Sequence, residues 1–545
     1  MRNKRKSPEL LTDSYKIDHR RQYPSNSQLV FSNFTARGSR VEGVDKVIFF
    51  GLQYFIKKYL IDEWNDNFFD VDVEEVVGRY NRRVRNFLGP NLIGDQHIRE
   101  LHSLGHLPLE IWAVPEGSNV NLRVPMLVVW NTDPRFFWLT NLIETMLSTT
   151  IWMPCTSATT ALMYRQLMNG WANKTNPEMI DFVTWMGHDF SFRGHGSLES
   201  ACSSGAGHLL SFSGTDTVPA VDFLEEYYNA DSDNELVGGS VAASEHSVAC
   251  MGAVYVDGVP NDYAYFERMV TEVYPSGIVS LVSDTYNFWN VINPDSGVLV
   301  KLKDIILARD GKVVIRPDSG DPVKIVTGWT DKELYFEDGK AYENLSLPAE
   351  GPHGKPTKID SKGREISEVE RKGLIQCLWE IFGGTVTTTG YVQLDSHIGA
   401  IYGDSITLKR CKDICERLAV KGFASTNLVY GIGSFTYQGA ITPNAIVTRD
   451  TYGFAVKSTY GEFLEDDGTI VGVEIFKDPI TDDGLKKSAK GLIAVYEDEH
   501  GEFYMKDQAT WEDVKNCAFV QVFKDGSLIT DHTLGQIRER VSNNF

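Results

Sequence analysis

The hydrophobic and polar positions change texture once along the chain. In residues 10–19 a polar start, with Thr12 or Asp13 available as an N-cap, leads into a short helix that carries Tyr15 and Lys16 near its beginning. Residues 29–34 are β-branched and aromatic and predict a strand ending at Arg37, while residues 47–60 begin as a strand and turn helical after Gly51. A charged helix over residues 72–87 presents Arg82, Arg83 and Arg85 as a solvated face. Residues 107–114 and 120–129 predict a hairpin around Pro115-Glu-Gly117, and residues 137–152 and 157–171 predict two helices. This opening region therefore expects an α+β arrangement.

From residue 181 a short apolar run that closes on a polar or charged tip recurs. The tips are His188-Asp189 after Phe182-Val-Thr-Trp185, Gly214-Thr-Asp216 after Leu209-Leu-Ser-Phe212, and Glu245-His246. They continue with Ser283-Asp284, Arg316-Pro-Asp318, Gln393-Leu-Asp395 after Gly390-Tyr-Val392, and Gly431-Ile-Gly433. From Asp216 through His246 and Asp284 to Asp318 the tips lie about 30 to 40 residues apart, the length of one strand plus one helix of an α/β barrel, whose catalytic groups sit at strand C-termini. Residues 350–364 interrupt the spacing with Gly, Pro and charge and predict a surface insertion near 340–370. The expected fold is α/β: an irregular α/β barrel over 181–435, and an α+β domain formed by 1–180 together with the strand-rich 436–545.

Composition narrows the function. At 545 residues the chain is long enough for about two to four domains. A net charge of -21 argues against a nucleic-acid or anionic-membrane surface, so an anionic ligand needs a local basic cluster. Seven scattered cysteines with one close pair, Cys411 and Cys415, predict reduced thiols and no structural zinc. No apolar run long enough for a membrane span follows the basic start, and the expected location is cytoplasmic.

Candidate chemistry gathers at the tips. Glu245 and His246 stand in a stretch of small residues, Gly238 to Cys250, that lets a ligand or backbone approach closely, and histidine can carry a proton or attack as a nucleophile. Acids at successive tips, with Arg193, Arg316, Arg449, Lys457 and Lys477, suit a ligand bearing hydroxyls, phosphates and a divalent cation. Phe190 and Tyr15 are candidate platforms for a flat ring. No Walker loop is present, since Gly431-Ile-Gly433 continues as Ser434-Phe435.

These motifs resemble the nicotinamide phosphoribosyltransferase family of type II phosphoribosyltransferases. The resemblance rests on Thr12-Asp-Ser-Tyr-Lys16, Phe50-Gly-Leu-Gln-Tyr54, His188-Asp-Phe190 with Arg193-Gly194, and Gly214-Thr-Asp-Thr-Val218. It continues in order through Glu245-His-Ser247, Val282-Ser-Asp284, Ile315-Arg-Pro-Asp-Ser-Gly320, Thr448-Arg-Asp450 and Phe476-Lys-Asp-Pro479. It implies transfer of phosphoribose from phosphoribosyl pyrophosphate to nicotinamide in NAD salvage, with Mg2+ present and ATP as an activating co-substrate, in a homodimer with shared active sites. It implies catalytic roles for His246, Asp216 and Asp318: His246 would be phosphorylated by ATP and Asp216 would accept from the carboxamide. Phe190, and Tyr15 of the second subunit, would sandwich the pyridine ring. Arg193, Ser280, Arg316, Asp318, Leu394, Asp395, Gly433, Ser434 and Arg449 would also contact substrates. Arg37, Lys457, Lys477 and Lys486 would hold phosphates, and Asp284 and Asp318 the metal. The family loop Gln-Gly-Asp-Gly is matched here to Gln393-Leu-Asp-Ser396, a further phosphate-site serine is Ala455, and the segments near 340–370 and 436–446 are longer than usual. The alternatives are a nicotinate phosphoribosyltransferase and a catalytically silent binding protein.

Overall fold

The computed structural model describes residues 6–90, 93–254, 258–345, 362–403, 405–477 and 489–545. Lys486, Asp404 and the middle of the expected insertion lie outside the described residues.

Two seven-stranded sheets organise the chain. The first is antiparallel and drawn from both ends, in the order Ile470–Glu474, Phe454–Leu464, Ser27–Ala36, Pro125–Asn131, Leu109–Ala113, Val520–Lys524 and Ser527–Leu528. Phe31, Phe34, Leu127 and Val129 are fully buried on it, as the β-branched and aromatic run from residue 29 requires.

The second sheet is parallel. Its strands, Gly187–Asp189, Gly214–Thr215, Ala242–Ala243, Val279–Val282, Val313–Arg316, Ile398–Tyr402 and Leu428–Ile432, follow one another in chain order around a ring. The last pairs with the first, Tyr430 beside Gly187, and a bridge between Gly214 and Gly239 closes the remaining gap. This is the irregular α/β barrel, and its strand C-termini share one face.

Several expected elements differ. Residues 182–185 are helical turn rather than strand, for only Gly187–Asp189 enters the sheet, and residues 209–212 are the turn closing the helix Leu198–His208. The two helices expected between 137 and 171 are one, Leu139–Thr175, with Pro154 inside. Its first part packs in the core of the antiparallel sheet (Leu147, Ile151, Cys155) and its last part in the barrel core (Tyr164, Met168, Ala172). Residues flanking the insertion form a small antiparallel sheet of Leu334–Glu337, Lys340–Asn344 and Lys362–Ile366.

One correction moves part of the expected site. Val392–Leu394 is not a barrel strand: it pairs in a hairpin with Gly384–Val386, and the barrel strand is Ile398–Tyr402. Leu394 and Asp395 therefore precede that strand, at the end of the barrel opposite the other tips. Asp395 there accepts from the backbone and ring of His397, at 2.9 and 2.7 Å. The tip of this strand is Gly403, where a Cβ would stand 2.7 Å from Asp318 Oδ1.

Candidate active site

The strand C-termini converge on a cavity of about 370 Å³ that continues along the barrel to its other end. Phe190, Asp216, Ser240 and Arg316 line it near the tips, Ser280 lies deeper, and Ile278, Lys312 and Leu394 line the far end. Leu394 thus touches the cavity from the opposite end, and Asp395 does not line it.

The Gly187–Asp189 strand aims His188 at Asp216. His188 Nε2 lies 2.9 Å from Asp216 Oδ1, and the same oxygen accepts from Ser240 Oγ at 2.6 Å, leaving Oδ2 without a protein donor among the described residues. Burial would raise the Asp216 carboxyl, but hydrogen bonds from His188 and Ser240 and the nearby Arg316 charge outweigh it, so the group is held below its ordinary value and stays ionised. The Phe190 ring packs on His188, with centroids 4.6 Å apart, and faces the same space. Sequence reasoning missed Ser240 and the link from His188; the Gly238 stretch was the signal for the first. Two buried polar atoms of the cavity wall, Ser280 Oγ and Arg316 Nε, have no hydrogen-bond partner among the described residues, which a polar ligand would supply.

Beside this wall His246 opens the helix His246–Val254. Its Nε2 lies 3.0 Å from Asp284 Oδ1, while Asp284 Oδ2 accepts from the Asp318 N–H at 3.0 Å and Ser319 Oγ at 2.6 Å. Burial would raise Asp284, but these three donors hold it below the usual carboxylate range. An ionised Asp284 accepts a hydrogen bond from an Nε2–H, which favours the imidazole tautomer with its lone pair on Nδ1. No group of three or more metal-ligating side chains stands together among the described residues. The Asp284 and Asp318 carboxylates are oxygen donors of the kind that magnesium takes.

The remaining tips are backbone-rich. Gly194 meets Ser434 so closely that a Cβ would stand 1.9 Å from its hydroxyl, which brings exposed Arg193 to the turn at Gly433 and Ser434.

A second group of expected residues gathers elsewhere. Exposed Tyr15 stands on the turn Ser14–Asp18, which Lys16 ties to Glu144 at 2.5 Å. Lys457 is lowered by burial, against the pull of Glu144, and by the charges of Arg37, Lys16 and Arg449, which places these cations in one cluster. Arg37 donates to the Gly453 carbonyl at 3.0 Å, and Arg449 pairs with Asp450 at 3.2 Å. Ala455, buried, pairs with Thr35 in the same sheet, and exposed Lys477 follows its edge strand. None of these lines the cavity of its own chain. No helix among the described residues is long and apolar enough to cross a membrane.

Known proteins carry the same plan. The nicotinate phosphoribosyltransferase (NAPRTase) family matches residues 186–521, and the N-terminal domain of nicotinamide phosphoribosyltransferase matches residues 9–111. A nicotinamide phosphoribosyltransferase from Acinetobacter baylyi is 46% identical over 541 residues, covering 97% of this chain and 96% of the relative. Another, from Xanthomonas campestris pv. campestris, is 30% identical over 539 residues, with 97% of each covered. The crystal structure of nicotinate-nucleotide pyrophosphorylase from Pyrococcus furiosus shares the fold, with a TM-score of 0.52 at 13% identity over 100% of this chain and 96% of that one. With its cavity at the barrel tips and these matches along nearly its whole length, the chain belongs to the nicotinate phosphoribosyltransferase family and is a phosphoribosyltransferase enzyme.

Proposed function

We propose that this cytoplasmic enzyme transfers phosphoribose from phosphoribosyl pyrophosphate to nicotinamide, giving nicotinamide mononucleotide and pyrophosphate in NAD salvage. The observation that carries the reading is Asp216: one oxygen is saturated by His188 and Ser240, and the other is left for an amide donor beside the Phe190 ring. Departure of pyrophosphate builds positive charge on the ribose, so the protein gains most by fixing the sugar and neutralising the leaving group. Arg316 and Asp318 face the sugar and its phosphate, with the backbone at Gly433 and Ser434, and Arg193 faces the pyrophosphate. Asp284 and Asp318 would hold a magnesium ion in part, and the ion would supply charge neutralisation on the leaving group. The pyridine nitrogen is itself nucleophilic and needs no base.

In this reading the cluster of Tyr15, Arg37, Arg449 and Lys457, with Lys477, completes the cavity of a second copy, making a homodimer with shared sites. His246 Nδ1 takes the terminal phosphoryl group of ATP, with ADP leaving, and Asp284 orients the ring. The test is incubation of purified protein with nicotinamide or nicotinate, phosphoribosyl pyrophosphate and magnesium, with and without ATP, followed by mass detection of the mononucleotide. Absence of product in both would favour a silent homologue; product from nicotinate alone would favour the nicotinate enzyme that the family description names.

A further inference from the structure

Ser244 joins the strand Ala242–Ala243 to the helix that begins at His246, and its bonds depart from the sheet pattern. Its N–H donates to the Ser280 carbonyl at 2.9 Å, as a parallel ladder requires. The next rung of such a ladder would run from the Val282 N–H to the Ser244 carbonyl. Instead the Val282 N–H donates to Ser244 Oγ at 2.9 Å, and the carbonyl accepts from Arg316 Nη2. The hydroxyl has taken over the rung and released the carbonyl to hold the guanidinium.

Tyr265 keeps this exchange in place. Its buried hydroxyl donates to Ser244 Oγ at 2.6 Å, which fixes the side chain that receives the Val282 N–H. Its ring lies under Gly252 of the His246 helix, where a Cβ would stand 2.8 Å from Tyr265 Cδ2, so one aromatic side chain braces both the helix and the junction. The anchored Arg316 still presents a buried, unpartnered Nε at the cavity wall.

We infer that Ser244 and Tyr265 are positioning residues that set the guanidinium of Arg316 for phosphoribosyl pyrophosphate by substituting a side-chain hydroxyl for a backbone acceptor. This rests on the reading that Arg316 meets that substrate. Replacing Ser244 by alanine returns the Val282 N–H to the carbonyl, where it competes with Arg316. Hydrogen bonds to charged groups are strong enough that Ser244→Ala should raise the KM and Kd for phosphoribosyl pyrophosphate about tenfold, with nicotinamide KM nearly unchanged. Tyr265→Phe should shift the same constants in the same direction, and Ser244→Thr, which keeps the hydroxyl, should restore them. In an Arg316→Lys background Ser244→Ala should add less than about twofold, because both act through one group.

The measurements are steady-state kinetics and calorimetric titration with phosphoribosyl pyrophosphate, with thermal midpoints as a check on folding. Unchanged constants in Ser244→Ala, a threonine variant as damaged as the alanine one, or full additivity with Arg316→Lys would overturn the inference. If Ser244→Ala fails to fold, Tyr265→Phe decides, and wild-type constants in it overturn the claim. A protein that binds the substrate without turnover would fail the functional reading alone; one that does not bind it would sink both.

Discussion

The choice between nicotinamide and nicotinate turns on the charge of Asp216, and Asp216→Asn removes that charge while keeping its shape. Two like unit charges about 4 Å apart cost about 1 kcal/mol in water and about 4 kcal/mol at the effective dielectric of a protein surface. The Asp216 side chain is 42% exposed before a ligand enters, so the penalty against a nicotinate carboxylate falls between, at about 2 kcal/mol or about thirtyfold. Loss of the amide donor, which would otherwise pair with Asp216 Oδ2, adds to this on the same side. Because hydrogen bonds from His188 and Ser240 outweigh burial and hold the carboxyl below its ordinary value, it stays ionised at neutral pH, and the discrimination should be flat there. The assay is direct competition between the two bases, read as the ratio of kcat/KM. The unmodified enzyme should favour nicotinamide by at least about thirtyfold, and the asparagine variant should lose most of that preference. An undiminished ratio in Asp216→Asn, or equal use of both bases by the unmodified enzyme, would refute the charge argument.

Mixing Tyr15→Ala chains with Asp216→Ala chains should recover activity in hybrid dimers that neither parent shows; a mixture as inactive as its parents would refute the shared site. His246→Ala should lose ATP hydrolysis and the ATP-dependent gain while keeping its thermal midpoint, and undiminished ATP stimulation would move the role to another residue. Gly403→Ala should raise the KM for phosphoribosyl pyrophosphate by driving a methyl against Asp318, whereas Asp395→Asn should leave it unchanged; the opposite result would return the substrate contact to residues 393–396. Glu9 is raised by burial to about 7 against the pull of Arg79, and its buried oxygens lack a well-formed hydrogen bond among the described residues. A raised carboxyl holds its proton more tightly folded than unfolded, so its contribution is full below about 4.5 and is lost as pH rises through 7. Glu9→Gln should then stabilise the protein at pH 8, by up to about 3 kcal/mol, and leave it nearly unchanged at about pH 4. Urea midpoints at the two pH values check this, and equal midpoints for both proteins at pH 8 would refute it.

What the sequence disclosed was the chemistry at the tips. Asp216, His246, Asp284 and Gly433 each follow a barrel strand and Arg316 ends one, and the spacing from Asp216 to Asp318 reports the strand-plus-helix unit. Two of the runs leading to them misled, because 182–185 and 209–212 are apolar for packing reasons that serve helix and turn as well as strand. The same ambiguity misplaced one barrel tip at Gln393-Leu-Asp395. Residues 390–395 and 398–403 are both short apolar runs ending near an acid, and only pairing distinguishes them: one forms a hairpin, the other lies between two barrel strands. Ser244 was invisible for a different reason, since a serine after a strand gives no sign that its hydroxyl, rather than its carbonyl, completes the ladder.

The 37-residue helix Leu139–Thr175, about 55 Å long, contributes side chains to two hydrophobic cores. For recombination and protein engineering this makes the chain indivisible. A barrel cut free at residue 180 would lose Tyr164, Met168 and Ala172 from its interior, and one that kept the helix would carry Leu147, Ile151 and Cys155 bare into water. Shuffling between relatives is therefore tolerated only where the helix travels with both of its neighbours, so the two halves of the molecule are inherited as one unit.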